Sequence, residues 1–306
     1  MAGLAISYRK KLSDVSSSMY LSHMVLKLGA CSWNYDSWVG LIYRRRLNRA
    51  AEYLAEFAKQ YDTVEIDSWF YRIPAPSEAE AYLASVPPSF IFTCKAPQQL
   101  TLTHLRHSPQ TANPHFLSSD LLRQFVEAIQ TLLPQTGALM LQFEYLNRRK
   151  MPSFNLFLQR LEQFFEEKPP GIPLAVEIRN KNYANRAYFS LLQKYGIIPV
   201  LSEKQFMPSV TELISRYSRY FTDTVVIRLL GGSRGDIEQI TRKRWDRIVQ
   251  PQQNLPQIAA SIQTLLARQR KVIVNVNNHY EGCAPLSIKR LQKLLQQDHG
   301  AAGRDK

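Results

Sequence analysis

Eight short apolar segments recur along the chain, separated by stretches with a helical pattern of apolar residues. They read LKLGACSW, DTVEIDSWF, SFIFTCKAP, ALMLQFEY, PLAVEIRN, IIPVLSEK, TVVIRLLGG and KVIVNVNN. Most are rich in β-branched or aromatic residues and bounded by Gly, Pro, Asn or Asp, which is the signature of short strands. Between them, AAEYLAEFAKQ, LLRQFVEAIQTLL, FNLFLQRLEQFFEE and IAASIQTLLARQ place apolar residues three and four apart, as an amphipathic helix does. A last helix is expected in APLSIKRLQKLLQQ, with Pro285 near its start. Strict βα alternation implies parallel strands joined by right-handed crossovers. Eight units over about 270 residues predict a single-domain α/β fold, a (β/α)8 TIM barrel, spanning residues 25–297. An open doubly wound sheet is the competing fold, but the first turn, CSWNYDSW, lacks the glycine-rich phosphate loop of that class. The longest irregular stretch runs from Ala96 to Asp120, and loops of that length in a compact domain are often functional.

In a barrel, successive side chains of a strand alternate between the helices and the lumen. If Val64 and Ile66 face the helices, Glu65 and Asp67 point inward. By the same rule Phe92 and Cys94 send Lys95 inward, and Leu141 and Phe143 do the same for Gln142 and Glu144. Val176 and Ile178 leave Glu177 and Arg179 inside; Ile227 and Leu229 leave Arg228; Val274 and Val276 leave Asn275 and Asn277. The apolar lumen residues, Ile91, Met140, Ala175, Val226 and Ile273, come earlier on their strands. The barrel is therefore expected to be packed below and polar above, at the C-terminal strand ends where barrel ligands bind. A purely structural network competes with this reading, because buried charges must pair whatever their function.

These residue types suit particular roles. Glu65 and Glu177, from strands two and five, can bracket a ligand as acid and base. Paired-carboxylate glycoside chemistry also stays open, since the carboxyl separation is not legible in sequence. Lys95 is expected as an ion-pair partner and electrostatic stabiliser, with a Schiff-base nucleophile as the lesser alternative. Arg179 and Arg228 suit forked binding of a carboxylate or phosphate. Gln142, Asn275, Asn277 and Asn278 offer the donors and acceptors that a polyhydroxylated ligand needs. Trp33, Tyr35, Trp38, Trp69 and Tyr71 follow the first two strands, and read either as packing around the mouth or as a stacking platform.

Composition adds charge. Among 306 residues the formal balance is +14, and basic runs stand at YRRRLNR, NRRK and TRKRW. All three are expected on βα connections at the barrel rim, which points to an anionic partner, either a phosphorylated small molecule or nucleic acid. Cys31, Cys94 and Cys283 have no disulfide or zinc-knuckle spacing and fit a reducing, cytoplasmic setting. His104, His107 and His115 share one loop and His279 follows strand eight, but none falls in a zinc motif. No metal ligand set is assigned; a divalent Mg²⁺ or Mn²⁺ on Glu65, Asp67 or Glu177 stays open without being favoured. No organic cofactor motif is present, so the cofactor is unknown. No apolar run reaches the ~20 residues of a membrane helix, so no membrane partner is expected. Residues 1–24 read as an N-terminal extension, disorder included, with too short an apolar stretch for a signal peptide. Translation from Met24 is an alternative start, and residues 298–306 read as a tail.

CSWNYDSWVG, VEIDSWFYRIP, FTCKAPQQLTLTH, LMLQFEYLN, LAVEIRN, VIRLLGG and VNVNNHYEGCAP together resemble the ordered motifs of the YecE-like family, a domain of unknown function (number 72). The resemblance spans about Leu26 to Leu295 and implies a TIM barrel. It implies no established activity; a relationship to sugar isomerases rests on fold alone. Position by position it points to Trp33, Tyr35, Trp38, Glu65, Phe70, Tyr71, Lys95, His104, Gln142, Glu177, Arg179, Arg228, Asn277 and Asn278. Two positions depart from the family pattern: Leu230 stands where histidine is usual, and Tyr183 where tryptophan is common. If that histidine takes part in chemistry, this chain is altered.

The expectation is an enzyme with isomerase- or lyase-like acid/base chemistry on a small polar, sugar-like or anionic ligand at the C-terminal face of the barrel. A nucleic-acid-binding protein using the basic rim and a non-catalytic ligand-binding protein are the alternatives.

Overall fold

A computed structural model of the protein describes residues 26–301. The eight predicted segments form strands β1 (Leu26–Cys31), β2 (Thr63–Ile66), β3 (Ile91–Lys95), β4 (Thr136–Gln142), β5 (Leu174–Glu177), β6 (Ile198–Lys204), β7 (Thr224–Gly231) and β8 (Lys271–Val276). Each pairs in parallel with its sequence neighbours, and β1 pairs with β8, so the sheet closes. This is the (β/α)8 TIM barrel. Around it lie α1 (Ala50–Phe57), α2 (Pro76–Leu83), α3 (Ser119–Ala128), α4 (Phe154–Glu167), α5 (Arg186–Lys194), α6 (Val210–Tyr217), α7 (Arg234–Thr241), α8 (Leu255–Ala267) and α9 (Ala284–Ala301). The expected extension at residues 1–24 and residues 302–306 of the expected tail lie outside the described residues, while residues 298–301 of that tail belong to α9.

Local chemistry explains where helices begin. The hydroxyls of Ser118, Ser153, Ser209 and Ser233 and the amide of Asn185 each accept a backbone N–H three residues on, capping α3, α4, α6, α7 and α5. Proline occupies the first turn of α2 and α8, where its missing N–H costs nothing. Among the described residues no helix is long and apolar enough to cross a membrane.

Strand alternation divides the core in two. Val64, Ile66, Phe92, Cys94, Leu141, Val176, Ile227, Leu229, Val274 and Val276 pack outward among the helices. Ala138, Met140, Ala175, Ile198, Val200, Val226 and Ile273 fill the lumen, with Ile91 against them. Burying each large aliphatic side chain contributes about 1.5–3 kcal/mol, so both clusters favour this register. Gly29 is required where β1 meets β2: a Cβ there would sit 1.7 Å from the Thr63 carbonyl oxygen.

Three expectations need correction. The Ala96–Asp120 stretch is not wholly irregular, since His104–Leu105 and Ser108–Ala112 pair as an antiparallel hairpin. Asn113 pins its base by donating to the Gln99 and Leu102 carbonyls at 2.7 and 2.6 Å. Glu144 does not join the lumen; β4 ends at Gln142, the alternation lapses, and Glu144 pairs with Lys150. The TRKRW run keeps its expected place between β7 and α8, but the connection is not bare: the run begins at the last residue of the short α7, where cations complement the helix dipole.

Candidate active site

The lumen row above the apolar layer is polar, and one guanidinium organises it. Arg228 on β7 is 2% exposed and meets Glu65 of β2 fork to fork, Nε to Oε2 and Nη2 to Oε1, both at 2.6 Å. Its Nη1 donates to Glu177 Oε2 of β5 at 2.7 Å and to Gln142 Oε1 of β4 at 3.1 Å. Nη2 also points at the Cys31 sulfur of β1, 4.0 Å away. Partners from four other strands thus converge on one side chain, and all five of its N–H groups are spent inside the protein. Arg228, expected to clamp a ligand anion, instead ties the barrel top together.

The carboxylates beneath the mouth are equally occupied. Glu177 Oε1 faces Arg179 Nη1 at 2.9 Å and accepts from the Ser202 hydroxyl. Glu65 Oε1 also lies 3.6 Å from the Lys95 ammonium, whose nearer partner is Asp67 at 2.7 Å. Burial pushes the Glu65 carboxyl above its ordinary range, against the pull of Arg228. Burial opposes ionisation of Glu177 too, but Arg179, Arg228 and the Ser202 hydroxyl hold it below the ordinary value. Asp67 is only partly buried, and although desolvation opposes its ionisation, the Lys95 charge and a hydrogen bond from Glu65 bring it down to about 2. Burial alone would lower Lys95; Asp67 and Glu65 outweigh it, so the ammonium stays protonated. The two glutamates are therefore pushed in opposite directions by their surroundings, as an acid/base pair requires.

Closer to solvent the site opens. Lys95 is 12% exposed and lies 5.6 Å over the Phe70 ring. Arg179 is 15% exposed, and its Nη2 reaches Gln142 Oε1 at a long 3.4 Å. The Gln142 oxygen serves both arginines, and its NH₂ makes no hydrogen bond among the described residues. The Tyr35 hydroxyl meets Ser32 and Asn278, and burial followed by the Asp67 charge raises its pKa. Tyr35 and Asp36 border a cleft of about 520 Å³, closed on its other side by Lys243, Arg244 and Trp245.

Other candidates surround this cluster without pairing with its charges. Trp33 is buried, donates its indole N–H to the Ala50 carbonyl at 2.8 Å, and packs edge-on against Tyr82. Tyr71 is 64% exposed. His104 sits on the hairpin, bonded to the Thr103 hydroxyl at 2.9 Å. Asn275 is buried in the lumen and donates to Thr93 Oγ1 at 2.8 Å. Asn277 accepts from the His279 backbone N–H at 2.9 Å, and Asn278 accepts from that of Ala284 at 2.9 Å, so both brace the turn into α9. Among the described residues no group of three or more His, Cys, Asp or Glu side chains is placed to hold a metal ion.

Two cluster members escaped the sequence reading. Ser202 and Lys204 follow Val200 on the lumen face of β6, while Leu201 packs outward. The alternation in IIPVLSEK could have found them. Lys204 is half-buried; burial and the charges of Arg179 and Arg228 push its pKa below the ordinary lysine value.

The family model described as protein of unknown function DUF72 matches residues 27–306. A DUF72 family protein from Thermotoga maritima MSB8 superposes with a TM-score of 0.66 at 20% identity, covering 89% of this chain and 99% of that one. A DUF72 family protein from Enterococcus faecalis V583 gives 0.63 at 19% identity, covering 89% and 95%. At these identities the likeness shows the fold. No curated protein matches the chain.

Proposed function

The chain belongs to the DUF72 family, and we propose that it is an enzyme that binds a small polar ligand by an anionic group at the barrel mouth. The chemistry is of the acid/base kind that isomerases and lyases use. One observation carries this reading: the charge balance of the cluster. With Glu144 outside it and Lys204 inside, four cations (Lys95, Arg179, Lys204, Arg228) face three carboxylates (Glu65, Asp67, Glu177). A partly desolvated surplus of positive charge is stabilised by an incoming anion.

Arg179 anchors the anion, because its guanidinium is not fully committed. The Gln142 NH₂ orients a neighbouring oxygen. Lys95, kept protonated by Asp67, stabilises negative charge as it develops on the ligand, since a fixed ammonium needs no reorganisation. Glu65, with its raised pKa, is the acid/base partner nearest to Lys95. Glu177 holds both arginines in register.

Titration calorimetry with inorganic phosphate and with a neutral hexose tests the reading. Charge-assisted hydrogen bonds contribute about 1.5–3 kcal/mol. Phosphate should bind, the hexose should bind more weakly, and Arg179→Met should weaken phosphate by about tenfold to a hundredfold. Equal binding of the two ligands, or binding of neither, would count against an anion site.

A second reading is supported by the rim. Arg46 pairs with Asp36 at 2.9 Å beside the 520 Å³ cleft, and Lys243 and Arg244 line its far wall. Single-stranded nucleic acid would fit such a border. Its binding should fall steeply with salt, and a flat salt profile would dismiss it.

A further inference from the structure

We propose that Lys204 is an amine nucleophile that forms a Schiff base with the carbonyl group of an anionic ligand. This deepens the anion-site reading and rests on it: the ligand becomes a small carbonyl compound bearing a phosphate or carboxylate.

The argument starts from partners. Every other cation of the cluster has a carboxylate oxygen within 2.9 Å: Asp67 for Lys95, Glu177 for Arg179, and Glu65 and Glu177 for Arg228. Lys204 has no ion pair among the described residues; of its charged neighbours Arg179, Arg228 and Arg234 repel the ammonium, and together with burial they outweigh the pull of Glu177. At rest this half-buried amine still counts among the four cations, but in such company it sheds its proton more readily than an ordinary lysine, which makes a lone pair available for attack. Lys95 is the reverse case, because Asp67 keeps it charged. The Schiff-base alternative considered for Lys95 therefore moves across the barrel to Lys204.

Position supports the same assignment. Lys204 follows Val200 and Ser202 on the lumen face of β6, and Ser202 bonds Glu177. The backbone there is pinned. The pairing of β6 with β7 shifts register between Glu203 and Lys204, Lys204 lies opposite Gly231, and Gln205 N–H donates to the Gly231 carbonyl at 3.1 Å. Gly231 adopts φ +77°, and a Cβ on it would lie 2.5 Å from the His279 carbonyl oxygen, so the turn beside Lys204 has little freedom. Such a strand end can hold an amine at a fixed place beside Arg179, the group assigned to the anion.

The step balances without another reagent. The neutral amine nitrogen attacks the carbonyl carbon and forms the C–N bond. The carbonyl C–O bond breaks, and the oxygen leaves as water with the two amine hydrogens. The product is an imine, which activates the adjacent C–H bond toward the proton transfer proposed above.

Borohydride trapping tests this directly. The full-length protein is incubated with dihydroxyacetone phosphate, or separately with pyruvate, and reduced with sodium borohydride. Peptides are then mapped by mass spectrometry. A lowered pKa leaves more free amine at neutral pH, so the adduct should concentrate on the Lys204 peptide rather than on other lysine peptides. Lys204→Arg keeps a cation but cannot form an imine, and should lose the adduct while still binding phosphate. Phosphate binding without any trapped adduct overturns the Schiff-base proposal and leaves the anion site standing. Absence of phosphate binding overturns both. An adduct spread evenly over surface lysines, unchanged in Lys204→Arg, also overturns it.

Discussion

Arg228 and Glu65 sit 163 residues apart in sequence and meet through two parallel hydrogen bonds of 2.6 Å at the centre of the barrel. Neither is exposed beyond 2%. The bidentate geometry is the strongest form of this pairing, and it fixes the spacing of β2 and β7 across the lumen. Because Glu177 shares the same guanidinium, losing Arg228 would strand two buried carboxylates at once.

Arg228→Met should therefore be destabilising by about 3–5 kcal/mol, the range for breaking a buried ion pair on one side. Adding Glu65→Gln to that variant should recover part of the loss, since one stranded charge is gone. Urea unfolding of the single and double variants measures both. A single variant as stable as the parent would show that the cluster does not hold the barrel together.

Asp67 and Glu177 have folded pKa values below their ordinary ones. Stability from such groups is fully present above the unfolded value of about 4, and is lost as pH falls through the folded value. Glu65 works in the opposite direction, contributing below its unfolded value and losing that contribution as pH rises through the raised one. Stability should thus fall between about pH 4 and pH 2, and Asp67→Asn should flatten that limb. Thermal melts across this range give the answer; an unchanged slope in Asp67→Asn would contradict the ion pair with Lys95.

Lys204 has the opposite sign for a base. Its protonated form is disfavoured in the folded protein, so a penalty is present at neutral pH, is relieved as pH rises through the lowered folded value, and is gone by the unfolded value of about 10.4. Lys204→Met should melt higher than the parent at pH 7, with the difference shrinking toward pH 10. A variant that melts lower at pH 7 would mean that Lys204 is stabilised by its surroundings.

Gly29→Ala should prevent the barrel from closing, because the added carbon would overlap the Thr63 carbonyl of the adjoining strand. Separating β1 from β2 costs hydrogen bonds as well as packing, so a loss above about 4 kcal/mol is expected. Soluble yield and far-ultraviolet circular dichroism report it. A folded, equally stable Gly29→Ala protein would show that the two strands can part cheaply.

The sequence made the barrel legible because strand alternation and helical spacing are local signals that repeat eight times. The same alternation brought Glu65, Lys95, Gln142, Glu177, Arg179, Arg228 and Asn275 to the lumen face. It failed at Glu144, which lies two residues past the end of β4 and turns to pair with Lys150 instead. It could have reached Lys204 but was not carried through IIPVLSEK. Trp33 was read by type and location and Asn277 by alternation one residue past the end of β8, and neither signal reveals that an aromatic N–H has found a backbone carbonyl or that an amide caps a turn.

The residue order by itself determined the fold, the sidedness of each strand and the polar character of the barrel top, since each follows from contacts between near neighbours in the chain. Only the tertiary structure decided which charges neutralise one another. Pairing depends on distances across the lumen between strands remote in sequence, and those distances left Arg228 saturated, Arg179 partly engaged and Lys204 without a carboxylate partner among the described residues.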